Sequence, residues 1–273
     1  MVGFAGHLRL RAATAASGRT TLAAQSFRAP YHISKPYWDA DTHTLFVQVV
    51  NPTAGILAGD RLESAIEVEK NAALLVTTPS ASRVFKMTDG GTAECRQHFT
   101  VAASGWLEVL PEPLVPHRGC RYRQATNISA EPGGRLFFVD LLMPGRVAHG
   151  GEAWGWERLC LETEVRLGGE LVLRERFDQG GADLKAIAAL AGSGPAACFG
   201  NALLIAEGPA PWLEAVQALH HDGVWLGVSA LRRSGWSIKF VAPDTIRLRQ
   251  TLWALRQTLA AHYPHLACET RKL

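Results

Sequence analysis

The chain has 273 residues, 47% apolar and 19% charged, and 28 Lys+Arg against 25 Asp+Glu leave a formal charge of +3. This composition suits one large folded domain, 1–273, and excludes a disordered chain, while so small and unclustered a basic excess offers no footprint for nucleic acid. The five cysteines (Cys95, Cys120, Cys160, Cys198, Cys268) form no CxxC pair, which excludes a zinc ribbon and reads as free thiols in a reducing cytoplasm.

In the N-terminal stretch MVGFAGHLRLRAATAASGRTTL, His7, Arg9 and Arg11 interrupt any apolar run, so it does not read as a signal peptide. No window approaches the roughly 18–20 apolar residues of a membrane helix. Strand patterns then dominate up to about residue 180: TLFVQVV (44–50), ESAIEVE (63–69), ALLVTTPS (73–80), TAECRQHFTVA (92–102), WLEVLP (106–111), RYRQATNISA (121–130) and RLFFVDLLMPG (135–145). Gly, Pro, Asp or Asn stand at the breaks, as an all-β body requires. RLCLETEVRLGGELVLRERFD predicts a hairpin, because Gly168-Gly169 supplies the positive φ of a tight turn. Its apolar alternation runs through Leu171, Leu173, Glu175 and Phe177, which places Glu175 on the inward side.

Beyond residue 180 the texture changes. GGADLKAIAALAGSGPAA predicts a loop with a short helical turn, and PWLEAVQALHHD (211–222) a short amphipathic helix. VWLGVSAL and GWSIKFVAP predict a hairpin around Arg232–Gly235. A last helix carries Leu248, Leu252, Leu255 and Leu259, with Asp244 or Thr245 as cap and Pro264 as stop. Arg247, Arg249 and Arg256 flank its apolar stripe and read as a solvated face. Many strands with turn glycines suggest a β-solenoid, although no fixed repeat period emerges.

Templates for catalysis mostly fail. GSGPAA lacks a nucleophile elbow, AGILAGD lacks the Lys and Ser/Thr of a phosphate loop, and no HExxH occurs. His220-His221 and His262 with His265 are candidate metal ligands without evident converging partners, and helix-end capping is their structural alternative. In WLEVLPEPLVPHRGCRYRQ (106–124), Pro111, Pro113 and Pro116 predict a segment at a sheet edge or leaving the sheet. Asp140 interrupts an apolar strand, a costly placement unless it is paired, with Arg146 for instance, or functional. In VVNPTAGILAGDRLE (49–63), Asp60 ends a Gly/Pro-broken turn, where an Asp60–Arg61 contact is the structural reading.

Four blocks, VVNPTAGILAGDRLE, LLVTTPSASRVFKM, LEVLPEPLVPHRGCRYRQ and DLLMPGRVAHGGEAW, resemble in order and spacing the UreD/UreH urease accessory proteins. The family pattern is similar to V-N-P-x-G-G-x-x-x-G-D, T-T-x-x-A-x-[KR]-[VI]-[YF], L-E-[WY]-L-P-x-P and D-x-x-x-x-G-R. Here Ala54 replaces the first glycine of its pair and Val109 the aromatic residue. The resemblance implies a mainly β fold: one elongated domain of strands in a helical, solenoid-like stack, with about two α-helices in the C-terminal half. It implies a cytoplasmic, non-catalytic maturation factor that assembles with urease subunits, a UreF-type helical protein and a UreG-type GTPase. It further implies that no tightly bound cofactor, nucleic acid or membrane is involved and that Ni²⁺ crosses the protein in transit through an internal passage.

A nickel conduit lined by imidazole or thiolate would become a sink, whereas carboxylates, hydroxyls and carbonyls release divalent ions readily. On that logic the transient metal-passage residues are Asp60, Ser82 and Asp140 by motif, and Glu175 by strand register. The late helices, the proline-marked stretch and the tryptophans Trp106, Trp154, Trp156 and Trp236 are candidate partner surfaces, core burial being the alternative for the tryptophans. Two other classes remain beside this one: a β-rich hydrolase using Glu108 with Glu112 or Asp140 with Glu175, and a β-type binding module.

Overall fold

In Leu8-Arg9-Leu10-Arg11-Ala12 every second side chain is apolar, and those three are buried in a strand that the sequence reading had left unassigned. The computed structural model describes residues 3–270 apart from 89, 151, 191 and 193. The chain opens with β1 (Ala5–Thr14), β2 (Thr20–Arg28), β3 (His32–Ile33), β4 (Tyr37–Asp39) and β5 (Thr44–Val50). There follow β6 (Arg61–Val68), β7 (Ala73–Thr77), β8 (Ser82–Val84), β9 (Ala93–Val101), β10 (Trp106–Leu110) and β11 (Leu114–Pro116). The next run is β12 (Arg121–Ala130), β13 (Arg135–Leu142), β14 (Arg158–Leu167), β15 (Glu170–Gln179) and α1 (Gly181–Leu190). The chain closes with β16 (Cys198–Ile205), α2 (Leu213–Gln217), β17 (Trp225–Ala230), β18 (Trp236–Ala242) and α3 (Thr245–Ala260).

From β5 to β14 the chain alternates between two sheets, the short β8 and β11 lying off the main strand order. One has the order β15-β14-β12-β9-β6-β1-β2, and the other β17-β18-β16-β13-β10-β7-β5-β3. The central pairs β6–β9, β9–β12 and β12–β14 are parallel, as are β5–β7, β7–β10 and β10–β13. The backbone therefore winds as a solenoid-like stack, one strand per sheet per coil, and antiparallel strands finish each sheet. Partners across the stack lie at unequal spacing: Arg61 faces Glu94, Glu94 faces Arg123, and Arg123 faces Cys160. Coils of unequal length explain why no sequence period is visible.

Between the sheets lies one core, containing Leu10, Ile66, Phe99, Val109, Phe138 and Leu203. A second core forms behind the larger sheet, where Trp106, Phe137, Leu204 and Phe240 pack on Leu248, Leu252, Leu255 and Leu259 of α3. The larger sheet is thus buried on both faces, and the continuous apolar run of RLFFVDLL follows from that. The Asp244 side chain caps α3, accepting from the Arg247 N–H at 2.8 Å.

Three expectations change. Segment 181–190 is a full α-helix because Leu184 and Ala188, one turn apart, are buried and Asp183 accepts from the Gly180 N–H at 3.2 Å, so the described residues hold three α-helices where about two were expected. One expectation holds in its second form: the proline-marked stretch leaves the main strand order, since β10 sits between β7 and β13, Pro111 and Pro113 fall just after it, and β11 lies off that order. A bulge between Val165 and Arg166 turns Leu171 outward and Val172 inward, while Leu173 keeps the inward parity. Arg256 is not on a solvated face. It is 2% exposed and gives a bidentate pair to the fully buried Glu108 at 2.6 and 3.0 Å, with a third bond to the Cys268 carbonyl at 2.8 Å. Burial pushes the Glu108 carboxyl up while Arg256 pulls it down.

Candidate functional site

The inward positions of the smaller sheet carry mostly apolar side chains, and one row across it is polar. Register aligns Ser64 with Gln97, Gln97 with Thr126, Thr126 with Thr163, and Thr163 with Glu175. This row runs along the axis of the stack from β6 to β15. Ser64, Thr126 and Thr163 are buried, and Thr126 Oγ1 donates to Gln97 Oε1 at 2.9 Å. On the facing sheet a second row aligns Asp140 of β13 with Asn201 of β16 and Lys239 of β18. The rows meet where Lys239 Nζ donates to Glu175 Oε2 at 2.8 Å.

Two cavities follow these rows. The first, of about 230 Å³, is lined by Ser64 and Gln97 inside and by Ala54, Ser80 and Arg83 at the surface. The second, of about 560 Å³, is lined by Thr163, Glu175, Asn201 and Lys239 and reaches the surface beside Arg176 and Trp225. Leu114, Gln124, Asp140 and Leu141 line both, so the cavities abut there.

Asp140 sits at that junction. No salt bridge to it occurs among the described residues, and its polar contact is Gln124 Nε2, donating to Oδ1 at 3.5 Å. The expected Arg146 partner is instead committed to Glu152 through two bonds of 2.6 Å. Desolvation pushes the Asp140 carboxyl up to about 7; Gln124 opposes this, Glu175 reinforces it and Lys239 opposes it. Its residual exposure is to the cavities, so the group is removed from bulk solvent and still reachable from within.

Ser82, on β8, lines the first cavity, and Glu175 lines the second. Asp60 lines neither of these two cavities. Its carboxylate is buried and accepts from the Phe4 N–H and the Leu57 N–H, both at 2.8 Å. It pins the N-terminal segment to the turn, while Gly59, at φ +84°, supplies the left-handed bend before it. The Asp60–Arg61 contact is absent from the carboxylate's bonds, and backbone amides take its place.

Sequence reasoning missed Gln97, Gln124, Thr126 and Ser64. A signal existed: each is a polar residue at the apolar parity of its strand, as in Cys95-x-Gln97-x-Phe99. It also missed a thiol. Cys95 lines the first cavity, hydrogen-bonded with the Tyr31 and Tyr122 hydroxyls, and burial pushes it up to about 11. Burial thus disfavours its thiolate form. Tyr122 Oη in turn donates to Gln124 Oε1 at 3.1 Å.

The histidines do not converge. His265 stacks on Trp106 at 5.4 Å and hydrogen-bonds Thr44 Oγ1 at 3.0 Å, and burial lowers its pKa. His220 Nδ1 accepts from the Leu226 N–H at 3.2 Å. Among the described residues no three His, Cys, Asp or Glu side chains gather as a ligand set. Ser193 of GSGPAA lies outside the described residues. Glu108 and Glu112 do not share a cleft: Glu108 faces α3 and binds Arg256, whereas Glu112 lines the first cavity and pairs with Arg249. Trp106, Trp154 and Trp156 are buried, and the exposed indoles are Trp225 and Trp253.

The sequence matches the family model described as UreD urease accessory protein over residues 5–272. The chain belongs to this family. Over 272 residues it is 64% identical to the urease accessory protein UreD of Opitutus terrae, an alignment covering 99% of both chains. It is 37% identical over 150 residues to the urease accessory protein UreD of Yersinia enterocolitica, covering 54% of this chain and 46% of that one. Over 134 residues it is 37% identical to the urease accessory protein UreD 2 of Brucella ovis, covering 48% and 44%. UreD proteins are accessory factors and not catalysts, so the carboxylate-pair hydrolase is set aside. In this UreD chain no helix among the described residues is long and apolar enough to cross a membrane.

Proposed function

We propose that the protein acts in urease maturation as a scaffold joining urease subunits to a UreF-type helical protein and a UreG-type GTPase in the cytoplasm, and that Ni²⁺ crosses it through the space between the two sheets. The observation that carries this reading is the inward polar row Ser64–Gln97–Thr126–Thr163–Glu175, of which all but Thr126 line the two cavities that abut at Asp140. Polar groups aligned along an otherwise apolar interior cost stability, and such costs concentrate at functional sites.

Hydroxyl, amide and carboxylate oxygens bind a divalent ion weakly and in succession, as permeation demands. Ser82 stands at the first cavity, Asp140 at the junction and Glu175 at the second cavity, so an ion meets one strong oxygen donor set at a time. Asp140 sheds its proton as the cation arrives, since the two compete for one carboxylate. Asp60, clamped to the Phe4 and Leu57 amides, is left off this route.

The test is urease activation in a reconstituted mixture of apo-urease, accessory proteins, GTP and Ni²⁺. Asp140→Asn lowers activation while assembly with the partners, read by size-exclusion chromatography, is retained. Full activation by this variant sinks the passage.

A further inference from the structure

Cavity two contains a cation of its own. Two cationic side chains line it, Arg176 and Lys239. Arg176 is held by the outer carboxylates, Asp178 at 2.8 Å and Glu162 at 3.3 Å. Lys239 instead donates across the cavity, 2.8 Å to Glu175 on the smaller sheet and 3.5 Å to Asn201 on its own. Its ammonium therefore stands where the two polar rows converge, two register steps from Asp140.

We propose that Lys239 is a tethered counter-cation that occupies the cation position at Glu175 and must be displaced by a divalent ion using the passage. This rests on the passage reading and adds how its affinity is set. Lysine suits the role because its charge is compact and its stem is flexible. The pair is partly open to solvent, with side chains 53% and 28% exposed, and exposed pairs of this kind are weakly held. A doubly charged ion displaces the ammonium, and once the ion leaves, the tether returns. The passage then neither traps its cargo nor fills with stray cations, because each arriving ion works against a resident positive charge.

The experiment is calorimetric titration of the full chain with Ni²⁺ near neutral pH, comparing wild type with Lys239→Met, Lys239→Arg, Glu175→Gln, Asp140→Asn and the Lys239→Met/Glu175→Gln double variant. Removing a unit charge a few ångströms from a divalent ion in screened surroundings tightens Ni²⁺ binding about tenfold. Lys239→Arg keeps the charge and binds no tighter than wild type, and the double variant loses the tenfold gain. Two results overturn the proposal: Lys239→Met binding no tighter than wild type, or the gain surviving in the double variant. If Asp140→Asn weakens Ni²⁺ binding while Lys239→Met is neutral, only the counter-cation falls. If Asp140→Asn and Glu175→Gln also leave binding unchanged, the passage falls with it.

Discussion

Replacing Asp140 by asparagine keeps the side-chain shape and removes one ionisable group from the junction of the cavities. The folded carboxyl titrates at about 7 instead of the ordinary 3.8, chiefly because burial disfavours its charge. Between those values the native state holds a proton that the unfolded chain has released. Wild-type stability therefore falls as pH rises through this window, by at most about 1.4 kcal/mol per unit, and levels off above the folded value. The ceiling is about 4 kcal/mol; contact with the cavities reduces it, and about 2 kcal/mol is expected. Asp140→Asn should thus be more stable than wild type at about pH 8, by some 4 °C in Tm for a chain of this size. Near pH 4, where the wild-type carboxyl is protonated, the two should nearly coincide. Thermal and urea unfolding at both pH values measure this directly. An equal difference at both, or a variant less stable at the higher pH, would refute the idea of a desolvated, ionising carboxylate at the junction. The stability gained is the counterpart of the urease activation lost.

Arg256→Ala leaves Glu108 charged and alone behind the larger sheet, and about 3–5 kcal/mol of stability should disappear in urea denaturation; a loss below about 1 kcal/mol would mean the pair is not buried as described. Asp60→Asn removes the carboxylate that holds the Phe4 and Leu57 amides, costing about 1–2 kcal/mol. Activation of urease per folded molecule should be unchanged in that variant, and a selective loss of activation would return Asp60 to the passage. Thr126→Val preserves shape and breaks the polar row between Gln97 and Thr163. It should cost about 1 kcal/mol in stability yet depress Ni²⁺-dependent activation, and unaltered activation would show that the row does not guide the ion.

The alternation in residues 63–69 and 159–167 was enough to read strands, since a period of two has one physical meaning when one face is buried, and 44–50 was legible from its short, mostly apolar run. The last helix was equally legible, its leucines recurring at helical spacing behind a capping Asp244. Asp140 announced itself as a charge in an apolar strand, and Glu175 as an acid in an apolar register. Asp60 carried the same kind of signal and meant something different. A carboxylate at a turn satisfies backbone amides as readily as it faces a cavity, and its partner amide at Phe4 is far away in the chain. Arg256 misled for a similar reason, because its partner Glu108 lies on a distant strand.

Local pattern therefore determined most of the long strands, where the main helix begins and ends, and that a few acids stand among apolar neighbours. Tertiary structure alone decided which strands lie side by side, and so that Ser64, Gln97, Thr126, Thr163 and Glu175 form one row and that Lys239 closes it. The division has a physical basis: periodicity is a property of a segment and its nearest face, whereas register across coils of unequal length depends on how every turn packs.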